Sequence, residues 1–230
     1  MAADCVAGAA DTMSKIIVVM GAPGAGKGTQ ARLLQERLEL PQISTGDIFR
    51  ALKKAQTPLA QEVRQIMDEG QLIPDELTIN LVRERTEQED CKRGYILDGF
   101  PRTAAQAVSL DKLAAEQGHR IVPIFIDVPE DFLIKRTIGR RNCPICGEIY
   151  NVYFKPPQFD NRCDLHPEAE LVRRADDNLG TVTARLNTYD EITRPLLDYY
   201  RASGLLRTVE GSREPEEIYK DIERIVRSDE

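Results

Sequence analysis

GAPGAGKGT occupies residues 21–29, directly after the apolar run KIIVVM (residues 15–20) and before the helix-forming segment QARLLQERL. An apolar strand, a glycine-rich turn and a helix in this order are the setting of the phosphate-binding pattern G-x-x-x-x-G-K-[ST]. Three glycines can turn successive backbone N–H groups inward, namely Gly21, Gly24 and Gly26. A helix that begins near Lys27 adds the positive end of its dipole. The match fails at Gly28, which takes the Ser or Thr position, and the hydroxyl follows at Thr29.

The rest of the chain repeats the alternation of apolar strands and amphipathic helices. Unbroken apolar runs occur at GYILDGF (94–100) and IVPIFIDV (121–128), and a helical pattern follows each of them. Strands without polar alternation are buried on both faces, so the pattern predicts an α/β fold with a parallel sheet covered by helices on both faces. Near the end of the chain, the periodicity predicts one long helix from about Asp177 to Ser203.

Two stretches interrupt this alternation. Residues 44–73 have a helical pattern broken by Gly46, Pro58 and Gly70, whereas residues 139–177 contain Pro, Cys, Gly and aromatic residues without a helical period. The interruptions predict an α/β core with two inserts. The expected division is a flexible N-terminal extension at 1–14, a core of 15–43, 74–138 and 178–230, a helical insert at 44–73, and a second insert at 139–177.

The composition limits the classes of function. The 230 residues carry a net charge of −7, which argues against general affinity for nucleic acid or acidic membrane. Apolar runs all fall short of the roughly 18 residues that a transmembrane helix needs. The first residues lack the basic start of a signal peptide, and the five cysteines are an odd number, so we do not expect a disulfide framework. These features predict a cytoplasmic protein without nucleic-acid or membrane partners.

The second insert carries a metal-binding pattern, Cys143-x₂-Cys146-x₁₆-Cys163-x₂-His166. Paired ligands at this spacing are typical of a tetrahedral zinc site. Four protein ligands leave no open position, so the pattern predicts a structural Zn²⁺ that folds an insert poor in apolar residues. Asp164 competes with His166 as the fourth ligand, at a less usual spacing.

Six motifs occur together and in order: GAPGAGKGTQA (21–31), ISTGDIFR (43–50), MDEGQLIPDEL (67–77), GYILDGFPRTAAQA (94–107), GRRNCPICGEIYN (139–151) and RRADDN (173–178). As a set they resemble the nucleoside monophosphate kinases, and the adenylate kinases above all. The resemblance covers nearly everything after residue 14. It implies a P-loop core in which residues 44–73 bind the monophosphate and residues 139–177 form a zinc-ribbon-like lid. The implied reaction is Mg-ATP + AMP ⇌ 2 ADP, carried out by a monomer with ATP, AMP and ADP as partners.

The resemblance assigns the donor site to the glycine loop and to two arginines near the lid. The residues implied for ATP are Gly24, Ala25, Gly26, Lys27, Gly28, Thr29, Arg136 and Arg140. In this family Mg²⁺ is held mainly by phosphates and water, so Asp98 and Thr29 would organise the water. Gly28 is then an ordinary member of the pattern. Arg136 would also lie next to the adenine ring of ATP.

The acceptor site follows from the same resemblance. The residues implied for AMP are Thr45, Arg50, Leu72, Ile73, Gly99, Arg102, Gln106, Arg174 and Arg185. Two arginine forks such as Arg50 and Arg102 can grip a phosphate bidentately and aim its oxygen in line. Gln106 lies four residues beyond Arg102, so we expect both to face the same way from one helix.

The implied catalytic set is dominated by cations. Phosphoryl transfer needs charge at the migrating group and the exclusion of water, and arginines on a closing element supply both. The residues expected to act are Lys27, Asp98, Arg102, Arg136, Arg140, Arg174 and Arg185. Asp176 and Asp177 would orient the arginines, and a structural role is the alternative for Arg141. A general base is not required, and Asp98 is the nearest candidate.

Two other functions fit parts of the sequence. A kinase for another monophosphate, UMP or GMP, fits because Thr45 and Gln106 are compatible with adenine without excluding other bases. The long metal-binding insert favours AMP, since pyrimidine kinases of this type generally have a short lid. A zinc ribbon that binds nucleic acid on an NTPase core is the third interpretation. The acidic residues within the ribbon and the negative net charge argue against it.

Overall fold

The computed structural model of the protein describes residues 14–228. Residues 1–13, which make up nearly all of the expected N-terminal extension, lie outside this range. The described part contains seven strands: β1 (Lys15–Met20), β2 (Gln42–Ser44), β3 (Gly94–Asp98), β4 (Arg120–Asp127), β5 (Arg140–Asn142), β6 (Ile149–Asn151) and β7 (Arg207–Glu210).

Nine α-helices accompany the strands within residues 14–228: α1 (Lys27–Leu38), α2 (Thr45–Leu52), α3 (Pro58–Asp68), α4 (Asp75–Thr86), α5 (Ala104–Gln117), α6 (Glu130–Ile138), α7 (Leu179–Thr188), α8 (Leu196–Ala202) and α9 (Pro215–Ser228). Several helices begin where a short polar side chain accepts a hydrogen bond from the first turn, which fixes the helix start. These capping residues are Ser44, Thr57, Thr103 and Asn178. Among the described helices, none has both the length and the apolar composition that crossing a bilayer requires.

Five strands form one parallel sheet in the order β2-β3-β1-β4-β7. In a parallel sheet the carboxyl ends of all strands meet at one edge, and ligands of such folds bind there. The glycine loop 21–26 leaves β1, helix α2 follows β2, and Gly99 follows β3 at this edge. Because β2, β3 and β1 are neighbours, three chain segments that carry candidate site residues adjoin one another.

The core lies on both faces of this sheet, as the unbroken apolar strands predict. Ile17 and Val19 enter an apolar cluster with residues of α1, α6, α7 and α9. The alternate residues Ile16, Val18 and Met20 enter a second cluster with α4, α5 and α8. All five side chains are at most 5% exposed, so β1 is the centre of the fold and holds the glycine loop rigidly.

Each insert has a small cluster of its own. Helices α2 and α3 pack around Phe49, Val63 and Ile73. Strands β5 and β6 form an antiparallel hairpin. Beside it, Cys143 and Cys163 are buried in one cluster with Tyr150 and Leu171, and Cys146 packs against this cluster.

The long helix expected from about Asp177 to Ser203 is interrupted. Helix α7 ends at Thr188, residues Tyr189–Thr193 form a π-helical turn, and α8 begins at Leu196. The backbone N–H of Arg194 donates to the carbonyl of Tyr189 at 2.7 Å, one residue further back than in an α-helix. Pro195 follows and has no N–H to continue the ladder, so the proline explains the break.

Candidate active site

The glycine loop leads from β1 into α1 through backbone angles that only glycine adopts without strain. Gly24 has φ +88°, and a Cβ there would lie 2.5 Å from the carbonyl oxygen of Leu133 on α6. Gly26 has φ +95° and stands at the start of α1. The loop therefore packs directly against α6 and presents the N-terminus of α1 to the carboxyl edge of the sheet, as an anion-binding loop requires.

Lys27 closes this loop. Its Nζ donates to the carbonyl oxygens of Gly21 and Ala22, at 2.9 Å each. Burial lowers the pKa of Lys27 to about 7; Asp98 opposes this shift, and three arginines add to it, namely Arg102, Arg185 and Arg140. A bound anion would offset that repulsion and strengthen the hold of Lys27 on its proton.

Gly28 faces the end of β3. A Cβ at Gly28 would lie 3.3 Å from Oδ2 of Asp98, closer than most side-chain contacts. The position that carries Ser or Thr in the general pattern is therefore next to a carboxylate here. Gln42 donates to the same Oδ2 atom at 3.5 Å. Asp98 and the first turn of α1, which includes Thr29, thus flank one space.

The neighbouring cavity holds most of the residues expected at the acceptor. Eight of the nine residues that the family resemblance assigns to AMP line it: Thr45, Arg50, Leu72, Ile73, Gly99, Arg102, Gln106 and Arg185. Arg174 is not among the lining residues. Lys27 lines the same cavity, so the loop and the expected acceptor residues share one space.

Gly99 brings two of these residues together. It has φ +82°, and a Cβ there would lie 2.8 Å from Nη2 of Arg102 and 2.9 Å from Oγ1 of Thr45. Thr45 Oγ1 and Arg102 Nε both donate to the carbonyl oxygen of Gly99, at 2.9 and 2.8 Å. Burial, followed by the charge of Arg185, lowers the pKa of Arg102 to about 10.

The four-residue spacing suggested that Gln106 and the Arg102 side chain share one helix face. The structure shows that they do not. Helix α5 begins only at Ala104, because Thr103 caps it, so Arg102 precedes the helix. The Oε1 atom of Gln106 accepts from the backbone N–H of Arg102 at 2.8 Å, and its Nε2 donates to Asp75 Oδ1 at 2.7 Å. The sequence gives no local signal for this role of Asp75, which lies 31 residues away.

Arg50 stands on α2 across the cavity. It donates to Oδ1 of Asp47 through Nε at 3.2 Å and Nη2 at 2.7 Å. Burial raises the pKa of Asp47, but the charge and hydrogen bonds of Arg50 outweigh it, so the net shift is downward. Asp47 is a further residue that the motif analysis did not single out.

Two buried aspartates at the end of the lid hold the arginines that follow. Asp177 is fully buried and accepts from Nε of Arg140 at 2.9 Å and from its Nη2 through the second carboxylate oxygen. Arg185 donates to Asp176 Oδ2 at 3.1 Å and lies 3.9 Å from Asp177. Arg173 donates to the backbone carbonyl of Asp177. These direct contacts support the prediction that Asp176 and Asp177 orient the arginines.

Six cations lie close enough for the charge of each to act on at least one other, and we call them the cation cluster: Lys27, Arg50, Arg102, Arg140, Arg174 and Arg185. Burial lowers the pKa of Arg174 to about 10, and Arg140 and Arg50 add to the effect. Burial also lowers the pKa of Arg185; Asp176 opposes this, and Arg140 adds to it. Like charges held together out of water are costly, so the arrangement favours a polyanion in the space between them.

Two of the arginines lie outside this set. Arg136, on α6, donates to the carbonyl oxygen of Gly211 at 2.7 Å and lies 5.9 Å from the ring centre of Phe154 in the lid. Arg141 donates to the backbone carbonyls of Ile138 and Arg140, at 3.3 and 2.8 Å, which is a structural role. A spacing of four positions would place Arg136 and Arg140 on one face of a continuous helix. The structure separates them because α6 ends at Ile138.

The four residues of the metal-binding pattern come together in the lid. The ligand atoms of Cys143, Cys146, Cys163 and His166 all lie within 4.8 Å of one another. Sγ of Cys146 lies 3.8 Å from Sγ of Cys163, which in turn lies 3.9 Å from Nδ1 of His166. Two sulfurs bound to one tetrahedral zinc at about 2.3 Å would be about 3.8 Å apart. The donor set therefore fits zinc in both chemistry and size.

Asp164 points elsewhere. Its carboxylate accepts from the backbone N–H of Gln158 at 2.8 Å, and its own N–H donates to the Tyr150 hydroxyl at 2.9 Å. Since that hydroxyl accepts from Asp164, its proton is free to face Sγ of Cys163, 3.6 Å away. Burial raises the pKa of Cys163, but hydrogen bonds from Tyr150 and His166 outweigh it and bring the pKa to about 6.

Helix α1 also contacts the lid. Arg32 donates through Nη2 to the carbonyl oxygen of Cys146 at 2.6 Å and through Nη1 to Glu148 at 3.0 Å. The turn between the first two cysteines is thus fixed to the helix that begins at Lys27. The motif analysis missed Arg32 because it stands in an ordinary amphipathic helix, and its lid partner Glu148 lies 116 residues away.

A glycine loop between β1 and α1, at the carboxyl edge of a parallel sheet, defines a P-loop protein of the α/β class. The family model described as adenylate kinase matches residues 19–205. The chain is 46% identical over 214 residues to the adenylate kinase of Clostridium perfringens (strain SM101 / Type A), covering 93% of this chain and 99% of that protein. It is 47% identical over 207 residues to the adenylate kinase of Thermodesulfovibrio yellowstonii, covering 90% and 96%. The chain belongs to the adenylate kinase family, which confirms the resemblance of the sequence motifs.

Proposed function

We propose that this protein transfers the terminal phosphoryl group of Mg-ATP to AMP and forms two molecules of ADP, which keeps the adenine nucleotides in balance. The observation that carries the proposal is the cation cluster of one lysine and five arginines. Four of its members, Lys27, Arg50, Arg102 and Arg185, line the cavity beside the glycine loop, and the charges of Arg140 and Arg174 act on other members of the cluster. ATP and AMP, placed with their phosphate groups facing each other, would supply the negative charge that balances these cations. Membership of the adenylate kinase family supports the same reaction.

ATP binds at the glycine loop in this proposal. The backbone N–H groups of 24–29 and the N-terminus of α1 surround its phosphates, while Lys27 exchanges the carbonyls of its own loop for phosphate oxygens. Mg²⁺, when bound with ATP, neutralises charge on the β- and γ-phosphates. Asp98 and Thr29 would hold the water around that ion, a role that the closeness of Asp98 to Gly28 supports. Arg136 contributes at the base of ATP, beside Phe154 of the lid.

AMP occupies the adjoining cavity. Arg50 and Arg102 grip its phosphate, because each fork lines the cavity and can form two parallel hydrogen bonds to one phosphate. Thr45, Leu72 and Ile73 provide walls for the adenosine, and Gln106 meets the base.

The reaction is a direct in-line transfer. A phosphate oxygen of AMP forms a bond to the γ-phosphorus of ATP while the bond to the β–γ bridging oxygen breaks, and ADP leaves with that oxygen. Arg140, Arg174 and Arg185 place positive charge around the migrating group, and the buried carboxylates of Asp176 and Asp177 hold them in position. Such fixed cations stabilise the transition state in a site from which water is excluded.

Two movable inserts complete the proposal. Residues 44–73 carry Arg50 to AMP, and residues 139–177 close as a lid over the phosphates, while 15–43, 74–138 and 178–230 form the static core. The separate apolar clusters of the two inserts support this division. A structural Zn²⁺ on Cys143, Cys146, Cys163 and His166 would hold the lid in shape, as four ligands with no open position imply.

We also propose a monomer in the cytoplasm. The described cysteines are all free, namely Cys91, Cys143, Cys146 and Cys163, which is what a reducing compartment maintains. A single chain supplies both halves of the cavity. Sedimentation velocity of the purified protein tests the first statement, and fractionation of cells tests the second.

Acceptor specificity is the direct experiment. Purified protein with Mg-ATP is tested with AMP, UMP and GMP, and kcat/KM for AMP is expected to exceed the others. A higher value for UMP or GMP would overturn the choice of substrate. Arg102→Lys should lower kcat/KM for AMP by about tenfold or more, because a lysine keeps the charge without the fork. Arg83→Lys, at an exposed ion pair with Glu116, is the matched control and should change it by less than about twofold.

A further inference from the structure

The amide of Gln106 is held at both ends by groups of fixed hydrogen-bonding character. Its Nε2 donates to Asp75 Oδ1 at 2.7 Å, and its Oε1 accepts from the backbone N–H of Arg102 at 2.8 Å. The second oxygen of Asp75 accepts from Thr103 Oγ1 at 2.9 Å, which fixes the carboxylate itself. Gln106 is 2% exposed and lines the cavity beside the glycine loop.

These partners permit one orientation of the amide. An ionised carboxylate only accepts hydrogen bonds, and a backbone N–H only donates them. Rotating the Gln106 amide by half a turn would set its oxygen against the Asp75 carboxylate and its NH₂ group against the Arg102 N–H. Both hydrogen bonds would be lost in a buried site, so Asp75 and the Arg102 backbone together fix which end of the amide donates.

The amide keeps one donor and one acceptor for the cavity. An amide side chain has two N–H groups and two lone pairs, and the protein uses one of each. Adenine presents an acceptor at N1 and a donor at its 6-amino group, whereas a 6-oxopurine presents a donor at N1 and an acceptor at O6. The two kinds of base therefore need opposite orientations of the same amide.

We propose that Asp75 is a specificity-determining residue that acts through Gln106. By fixing the amide, it makes the cavity accept 6-aminopurine monophosphates and reject 6-oxopurine monophosphates. Asp75 is a positioning residue, since it touches Gln106 and Thr103 rather than the base. The inference rests on the proposed function, in which this cavity receives AMP.

A purely structural role is the competing explanation. Thr103 caps α5 by accepting from the Gln106 N–H at 3.2 Å, and Asp75 and Gln106 both brace that cap. If bracing were their whole contribution, loss of Asp75 would weaken the use of every acceptor to the same extent. Discrimination between two purines of the same shape is the measurement that separates these roles.

IMP is the probe, because its hypoxanthine base is a 6-oxopurine without the additional 2-amino group of guanine. The experiment measures kcat/KM for AMP and for IMP with saturating Mg-ATP in the unaltered protein, in Asp75→Asn and in Glu76→Gln. Glu76 is exposed in the same first turn of α4, so its variant loses the same charge at the same helix end. Thermal melting and the KM for ATP are measured for each protein.

The expected result is a preference for AMP over IMP that falls at least about tenfold in Asp75→Asn and changes by less than about twofold in Glu76→Gln. The kcat/KM for IMP should rise in absolute terms, which damage to the fold would not produce. An unchanged preference in Asp75→Asn, with AMP still a substrate, would overturn the inference. So would equal use of AMP and IMP by the unaltered protein, a measurement that needs no variant. A protein that phosphorylates no nucleoside monophosphate would instead refute the proposed function.

Discussion

Replacing Asp177 by asparagine tests whether the buried carboxylate holds the lid arginines. Asp177 is fully buried, and its partner Arg140 is 17% exposed. Asn keeps one acceptor but turns an NH₂ group toward the guanidinium, so at least one of the two charge-assisted hydrogen bonds is lost. Breaking a buried pair from one side costs about 3–5 kcal/mol, because the remaining charge stays buried without its partner. We therefore expect Asp177→Asn to lower the free energy of unfolding by about that amount.

Urea unfolding at pH 7, followed by far-UV circular dichroism, measures this loss, provided that the m value stays constant. Asp190→Asn is the control, since Asp190 pairs with Arg194 while their side chains are 50% and 61% exposed. That variant should lose less than about 1 kcal/mol. The kcat of Asp177→Asn should fall by about a hundredfold or more, since a misplaced Arg140 cannot support the migrating group. A loss of stability no larger than that of the control would refute the argument from burial.

Three further predictions concern the loop, the acceptor site and the metal. The pKa of Lys27 is about 7 without a ligand, and bound phosphates raise it. ATP binding above pH 7 should therefore take up a proton, and the affinity for ATP should fall as the pH rises. Calorimetry in two buffers detects the proton uptake, and Lys27→Met should abolish both the uptake and turnover. Gly99→Ala would place a Cβ 2.8 Å from Arg102 Nη2. Steady-state kinetics should then show the KM for AMP rising at least about fivefold while the KM for ATP changes little. Equal changes in the two KM values would contradict the placement of Gly99 at the acceptor site. Cys163→Ser should lower both the zinc content and the melting temperature of the lid, and an unchanged melting temperature would refute a structural metal.

Local chemistry allowed the sequence to predict the centre of the fold. The glycine loop, the apolar strands around it and the metal-binding spacing are each written within a few consecutive residues, so the pattern alone predicts their conformation. The same holds for the parallel sheet, because continuous apolar runs such as 121–128 need cover on both faces. Family membership and the observed parallel sheet confirm the predictions for the fold.

Contacts between distant segments were beyond local patterns. Asp75 meets Gln106 across 31 residues, and Arg32 meets Glu148 across 116. No periodicity encodes such pairs. The spacing of Arg102 and Gln106 was misleading for a related reason, since Thr103 delays the start of α5.

Residues 136–140 show how an element boundary redirects side chains. The four-residue spacing would place Arg136 and Arg140 on one helix face, but α6 ends at Ile138 and Arg140 begins β5. Arg140 therefore meets Asp177, while Arg136 meets the loop after β7. Helix ends are poorly marked here because Gly139 terminates α6 with ordinary helical angles.

Helix α1 carries two cationic side chains that contact different parts of the site. Lys27 stands at the glycine loop. Arg32, about 7.5 Å further along the axis, donates to the carbonyl of Cys146, one of the four residues that could hold a metal ion. A nucleotide at one end and a metal ion at the other would therefore both contact residues of the same helix. Thermodynamic reciprocity then requires that whatever factor zinc contributes to nucleotide affinity, nucleotide contributes to zinc affinity.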